Sequence, residues 1–341
     1  MADIGDLYMI IVTGGAGFIG SALIAALNKR GITDILVVDE HGKDKCKNLV
    51  NLFFADYAEK NNFLKTVVEK KISTDIESVF HMGACSDTTE TDAEYLRKNN
   101  YQYSGLLAQW ATDANVRFIY ASSAATYGDG SKGFSDDEEK IQELRPLNMY
   151  GHSKQLFDLW AHRKGLLKKI VGLKYFNVFG PNEYHKGDMR SFVLKAFEQI
   201  NAPVLSCESK NGGKVRLFKS HNPDYADGEY MRDFLYIKDA VDMTLFFYDN
   251  PKITGLFNIG AGKARTWNDL VKAVFAAMGK SANIEYIEMP EQLRSQYQYF
   301  TEADINKLRK AGYKKQITSL ENAIKDYVQN YLQKNEYLSG I

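Results

Sequence analysis

The stretch Val12-Thr13-Gly14-Gly15-Ala16-Gly17-Phe18-Ile19-Gly20 decides the fold. Apolar residues 9–12 lead into it, and Ile19, Leu23 and Leu27 recur on one helical face behind it. Strand, glycine turn and helix therefore follow one another. Gly14 permits a tight turn after the strand, Gly17 lets the backbone approach a pyrophosphate, and Gly20 lets the helix pack on the strand. The helix N-terminus offers unpaired N–H groups and the positive end of its dipole to phosphate. The stretch reads as a dinucleotide-binding turn.

Outward from this turn, Gly31 stops the first helix and a second strand is expected over 34–38. Asp39 ends it, about 20 residues past the fingerprint, where an acid accepts hydrogen bonds from an adenosine ribose. Glu40 follows, then Lys43, Lys45 and Lys47, which can neutralise a 2′-phosphate or simply form a solvated loop. Further strands are expected over 52–54, 78–81, 117–121 and 170–175, with helices over 62–70, 94–114 and 150–168. The alternation predicts an α/β fold, a Rossmann-type doubly wound parallel sheet whose ligands lie at the strands' carboxyl ends. One such end is Met82-Gly83-Ala84-Cys85-Ser86, small enough for a cofactor to cross.

Beyond Gly187 the rhythm changes. A polar stretch runs over 206–232, then strands are expected over 234–236, 255–259 and 284–289, and helices over 237–250, 266–278, 302–311 and 317–332. The reading is a dinucleotide-binding domain over 1–180, joined by later segments over 233–262, and a smaller α/β substrate lobe mainly over 181–341. A chain of 341 residues suits one large and one smaller domain.

Composition narrows the function. Hydrophobic residues make up 45% and charged residues 25%, and 43 basic residues balance 43 acidic ones. Neither nucleic acid nor an anionic membrane is expected as a partner. Cys46, Cys85 and Cys207 are odd in number and widely spaced, so they read as free thiols in a reducing compartment. The six histidines form no ligand pattern, and no metal is expected. No apolar run approaches a membrane span, and the first residues do not resemble a signal peptide. A cytoplasmic protein is expected.

The chemistry points to Tyr150 and Lys154, which share one face of a helix. A phenol is too weak a base near neutrality, and an ammonium one turn away favours the phenolate. Ser123, at the end of the fifth strand, can hydrogen-bond a substrate hydroxyl. The three make a proton acceptor beside a hydride acceptor, the requirement for alcohol oxidation.

The glycine stretch, Ser123 and Tyr150-Gly151-His152-Ser153-Lys154 resemble the extended short-chain dehydrogenase/reductase superfamily. Gly83-Ala84-Cys85-Ser86, Asn99-Asn100-Tyr101-Gln102-Tyr103-Ser104, Tyr175-Phe176-Asn177-Val178, His185-Lys186-Gly187, Arg232-Asp233-Phe234 and Tyr297-Gln298 narrow the likeness to the ADP-L-glycero-D-manno-heptose 6-epimerase family, from Met9 to about Tyr331. The resemblance implies an NADP-dependent isomerase of an ADP-heptose, serving lipopolysaccharide core synthesis and forming homo-oligomers, pentamers in the family. It implies that Phe18, Ile19, Asp39, Glu40, Lys45, Lys60, Met82, Gly83, Ala84, Cys85, Ser86, Asn99, Lys154, Val178 and Lys186 touch NADP, with NAD usable. Asn177, Asp188, Lys195, Phe218, Lys219, Ser220, His221, Arg232 and Tyr297 are implied to touch the ADP-sugar. Tyr150 and Lys186 are implied to be the two proton acceptors. A guanidinium at Arg232 also suits a diphosphate on its own chemistry.

The chain departs from the family pattern in places. Met82 stands where the family has glutamate, and Asp188 and Lys195 replace serine and histidine. Residues 220–231 look inserted and carry Asp224, Asp227 and Glu229, so this loop is expected to point away from a diphosphate or to lie at a subunit edge. Two other readings stand beside the epimerase. One is another nucleotide-sugar epimerase or a dehydratase, the latter disfavoured by Ala124-Ala125 where an acid–base pair is needed. The other is a non-enzymatic dinucleotide sensor, disfavoured by the retention of Ser123, Tyr150 and Lys154 together.

Overall fold

The computed structural model describes residues 9–42, 44–72, 75–202, 213–294 and 297–341. Lys43 and Cys207, both singled out above, lie outside the described residues. Among the described residues twelve strands are formed: β1 (Met9–Thr13), β2 (Ile35–Asp39), β3 (Asp56–Glu59), β4 (Ile76–His81), β5 (Arg117–Ser123), β6 (Val171–Tyr175), β7 (Asn177–Phe179), β8 (Val215–Phe218), β9 (Met231–Tyr236), β10 (Gly255–Ile259), β11 (Ala264–Thr266) and β12 (Ile284–Ile287).

Seven of these form one parallel sheet in the order β10-β6-β5-β4-β1-β2-β3. This is the Rossmann-type arrangement expected, and its order reverses between β1 and β4, the place where such sheets bind ligands. The central strands are apolar because helices cover both faces; Ile10, Ile11, Val12, Val79, Phe80, Phe118 and Ile119 are fully buried. Two small sheets, β11-β9-β7 and β12-β8, lie beside the large one.

Several elements differ from the sequence reading. The third strand is the polar Asp56–Glu59, not residues 52–54. Leu52 is buried, but the Phe53 backbone is bonded on both sides by the Asn28 side chain, at 2.8 Å each, and so does not join a ladder. β3 is an edge strand, which needs no apolar face on both sides. A helix over Phe192–Asn201, capped by Ser191, and strand β8 occupy the region read as irregular. The helix expected over 302–311 is only Asn306–Lys310; before it, Ala303 gives its backbone N–H to the Asp233 carboxylate, and Thr301 gives its own to the Met231 carbonyl. The long helix expected over 94–114 contains a π-helical segment, Arg97–Gln102.

Beneath the C-terminal ends of β5 and β6 lies a buried ion pair. Lys174 Nζ donates to Asp158 Oδ2 at 2.8 Å and to Thr126 Oγ1 at 2.7 Å, and both charged side chains are fully buried. Tyr120 and Ser122 donate to the same carboxylate at 2.9 and 2.7 Å. Every partner is hydrogen-bonded, the condition under which a buried pair is tolerated. Lys174→Met leaves Asp158 charged and uncompensated. The unfolding free energy from denaturant titration is expected to fall by about 3–5 kcal/mol; a loss well under that range would mean that the carboxyl is not ionised in the fold.

Candidate active site

The phosphate turn is shaped by close backbone approach. Gly14 has φ +66°, and a Cβ on it would stand 2.5 Å from the Gly83 Cα. The helix Phe18–Asn28 begins at Gly17 with no side-chain cap, so its first N–H groups remain for a ligand. A cradle that a Cβ would fill and an uncapped helix start fit a dinucleotide diphosphate.

At the adenosine end, Asp39 Oδ2 accepts from Ala16 N at 3.0 Å and Oδ1 from Glu40 N at 2.7 Å. Lys45 Nζ stands 3.3 Å from Asp39 Oδ1. Lys60 pairs with Glu40 and donates to Asn99 Oδ1 at 2.7 Å, and Lys60 holds the Glu40 carboxyl below its usual range. Asp39, Glu40, Lys45, Lys60, Cys85 and Asn99 line a cavity of about 290 Å3.

That cavity shares Gly14, Gly83, Ala84, Ser86 and Lys186 with a larger one of about 460 Å3, also lined by Phe18, Ile19, Met82, Ser123, Tyr150, Lys154, Asn177 and Val178. Ser123 and Tyr150 line this cavity together. Burial raises the Tyr150 phenol above its ordinary value, and the Ser123 hydroxyl opposes that rise. Lys154 does not lower it as expected: its ammonium is turned to the Ala121 carbonyl, 2.7 Å away. Burial pulls Lys154 itself down to about 8, against the Asp158 charge one helical turn further on. Lys186 lies with Nζ 5.4 Å from the Phe18 ring centre, and burial lowers its proton affinity while Glu183 raises it.

Beyond Tyr150 the cavity continues. Ser123, Tyr150 and Asn177 line a further space of about 340 Å3 together with Arg232, Tyr297 and Gln298. Arg232 and Tyr297 then line a hollow of about 590 Å3 with Phe192, Phe218, Tyr230 and Trp267. Arg232 is only 7% exposed, sits 5.4 Å from the Tyr297 ring and has no carboxylate partner among the described residues. A buried guanidinium without a counter-charge suits an anionic ligand.

Other residues expected at the sugar nucleotide lie elsewhere. Lys219 and His221 pair with Glu288 at 2.8 and 3.5 Å. Ser220 N donates to Asp227 Oδ1 at 2.8 Å. Lys195 donates to the Asp188 carbonyl at 2.7 Å, and neither residue lines the cavities described. The acidic loop is engaged locally, with Glu229 accepting from Asn268 at 2.6 Å. Among the described residues, neither Asp227 nor Glu229 forms an ion pair with Arg232.

Sequence reasoning missed Asn100. Fully buried in the π-helical segment, it accepts from Cys85 N and donates to Cys85 O, both at 2.9 Å, and donates to Ser153 Oγ at 2.9 Å. It fastens the end of β4 to the helix carrying Tyr150 and Lys154. The extra residue of a π-turn, which no periodicity reveals, is what turns this side chain inward. Trp267 and Phe192 were missed because they read as ordinary core.

Fold and cleft together define a Rossmann enzyme that works with a nicotinamide dinucleotide. A model of the NAD dependent epimerase/dehydratase family matches residues 10–260. The ADP-L-glycero-D-manno-heptose-6-epimerase of Nitratidesulfovibrio vulgaris is 55% identical over 325 residues, covering 95% of this chain and 98% of that one. The enzyme of the same name from Fusobacterium nucleatum is 49% identical, covering 96% and 99%. The crystal structure of the Helicobacter pylori ADP-L-glycero-D-manno-heptose-6-epimerase superposes with a TM-score of 0.75 at 29% identity, covering 97% of this chain and 98% of that one. The chain belongs to the epimerase/dehydratase family and, within it, to the ADP-L-glycero-D-manno-heptose 6-epimerases, and it is an isomerase.

Asn100→Leu keeps the branched shape and removes the latch. Because it strands buried groups on Cys85, dinucleotide affinity measured by fluorescence titration is expected to fall roughly tenfold, the scale of one unsatisfied buried partner. Unchanged affinity would show that the β4 end holds its shape without Asn100.

Proposed function

We propose that this enzyme epimerises C6 of an ADP-heptose, interconverting the D-glycero and L-glycero forms through a 6-keto intermediate with NADP, for lipopolysaccharide inner-core synthesis in the cytoplasm. The observation that carries this reading is that Tyr150 and Lys186 line the same cavity from separate elements, a helix and the loop after β7. When bound, the nicotinamide supplies hydride acceptance and return at C6. Gly14, Gly17 and the start of the helix Phe18–Asn28 hold the diphosphate of the cofactor. Lys45, beside an Asp39 already satisfied by two backbone N–H groups, is the 2′-phosphate contact, so NADP is preferred and NAD usable. Arg232 binds the substrate diphosphate, and the aromatic hollow around Tyr230, Trp267 and Tyr297 takes the adenosine. Residues 1–180, with 233–262, serve the cofactor, and 181–341 mainly serve the substrate.

Inversion requires hydride to return to the opposite face of the ketone. With the cofactor anchored along the sheet, the sugar end must turn, and the C6 oxygen then meets a different wall. Tyr150, helped by Ser123, moves the proton in one orientation and Lys186 in the other. Lys154 orients the cofactor. Exposed Leu106 and Leu156, on the helices Tyr103–Asp113 and Met149–Arg163, support a homo-oligomer, and a pentamer is the stoichiometry proposed.

Two experiments test these roles. Lys45→Ala, titrated with both cofactors, is expected to weaken NADP binding more than NAD binding; an equal loss removes Lys45 from the phosphate contact. Tyr150→Phe and Lys186→Met are expected to lower turnover by on the order of a hundredfold or more, the scale of general-base loss. Mixed with each epimer separately, the two variants should fail on opposite epimers when NADPH formation is followed in a single turnover. Equal cofactor reduction by both variants with both epimers would sink the two-group account.

A further inference from the structure

The loop that carries Lys186 is closed at both ends by one buried carboxylate. Glu183 is fully buried. Its Oε1 accepts from Gly180 N at 3.3 Å and from Ser191 Oγ at 2.7 Å, and its Oε2 accepts from Ser191 N. Gly180 follows β7, and Ser191 caps the helix Phe192–Asn201 through Leu194 N. The two loop ends are therefore joined through a single side chain. Glu183 also accepts the Lys186 N–H on its own carbonyl at 3.0 Å, which sets Lys186 one tight turn further on. Three donors on two oxygens suit a carboxylate and not an amide, whose NH2 would face a donor.

A buried carboxylate is costly unless a charge or donors compensate it. Burial raises the Glu183 carboxyl above its usual range, and the hydrogen bonds from Ser191, the Lys186 charge and the Gly180 N–H oppose that rise. Burial lowers the proton affinity of Lys186, and the Glu183 charge opposes it. Against the lysine stand the Phe18 ring and the neighbouring His185. His185 is pulled down to about 4 by burial, and then by Lys45 and Lys186 against Asp39, so it is neutral near pH 7. The remaining titratable groups facing Glu183 are the phenols of Tyr184 and Tyr327, both raised by burial and neutral.

We propose that Glu183 is a positioning residue for Lys186: it clamps the 180–191 loop and supplies the buried negative charge against which the Lys186 amine takes up and releases its proton. This rests on Lys186 being the second proton-transfer group. Without the clamp the ammonium loses its fixed place in the cavity. Without the charge, burial drives the lysine toward a permanently neutral amine, able to take a proton less readily from the C6 hydroxyl.

The test uses the full-length protein loaded with NADP. Single-turnover NADPH formation is followed against pH with each ADP-heptose epimer, for wild type, Glu183→Gln, Ser191→Ala and Lys186→Met. With the epimer that depends on Lys186, the rate rises with pH as the amine deprotonates. Glu183→Gln is expected to move that midpoint down by about one pH unit, the effect of removing one nearby charge, and to lower the plateau. Ser191→Ala weakens the clamp but keeps the charge, so it should lower the plateau with the midpoint in place. The profile with the other epimer stays as in wild type. A midpoint that does not move, or that moves equally for both epimers, overturns the proposal. Lys186→Met acting equally on both epimers overturns instead the two-group reading beneath it. If Glu183→Gln does not fold, Glu183→Asp, which keeps the charge and shortens the reach, should lower the plateau with the Lys186-dependent epimer alone; a loss with both epimers overturns the proposal.

Discussion

The backbone contact between Gly14 and Gly83 is the constraint on which the site depends. It lies where the sheet order reverses, between the ends of β1 and β4, and a side chain on Gly14 would collide with the Gly83 backbone. Only with both strand ends bare can a long ligand pass across them. The approach is held from below. Thr13 Oγ1 accepts from Gly83 N at 3.4 Å and shares a 2.6 Å hydrogen bond with His81, which in turn meets Ser104 at 2.8 Å. Burial pushes His81 down to about 3, so this line stays uncharged. From that crossing the cleft runs one way to Asp39 and Lys45 and the other way to Ser123, Tyr150 and Lys186.

At the catalytic end the two lysines are placed by the same physics. Lys154 and Lys186 are both pulled below the usual ammonium range by burial, and each is opposed by one buried carboxylate, Asp158 or Glu183. Asp158 is shared with Lys174, Tyr120 and Ser122, so it also fixes the strand bearing Ser123. Glu183 is shared with the cap of the next helix. Proton affinity and position of the two lysines are thus set together, because the hydrogen bonds that hold each carboxylate fix where it stands against its lysine.

The Lys186 loop is also tied to the cofactor half. Asn182 donates to Ser21 Oγ at 3.0 Å and accepts on its carbonyl from Asn48 Nδ2 at 3.0 Å, while Asn48 also donates to Ala16 O at 3.0 Å. Leu338 N donates to Asn182 Oδ1 at 2.9 Å, and Tyr184 donates to the Glu336 carbonyl at 2.9 Å. Residues distant in sequence thereby brace the phosphate turn, the short helix bearing Lys45 and the loop bearing Lys186 as one unit.

Local pattern determined what local physics controls. The glycine turn, the buried strands, Asp39 at the end of β2 and the Tyr150–Lys154 spacing were legible because each depends on neighbours in the chain or on one helical turn. The edge strand Asp56–Glu59 was not legible, since nothing requires it to be apolar, and the apolar residues before it are held by Asn28 instead. Only the tertiary structure decided that Lys154 turns to the Ala121 carbonyl, that Asn100 faces inward from a π-turn, and that Lys219 and His221 go to Glu288 and not to the cavity. It alone joined Glu183 to Ser191 and seated Lys186 against Phe18. The physical reason is common to all of these: where a long polar side chain comes to rest, and what burial does to its charge, depend on partners that the fold brings from elsewhere in the chain.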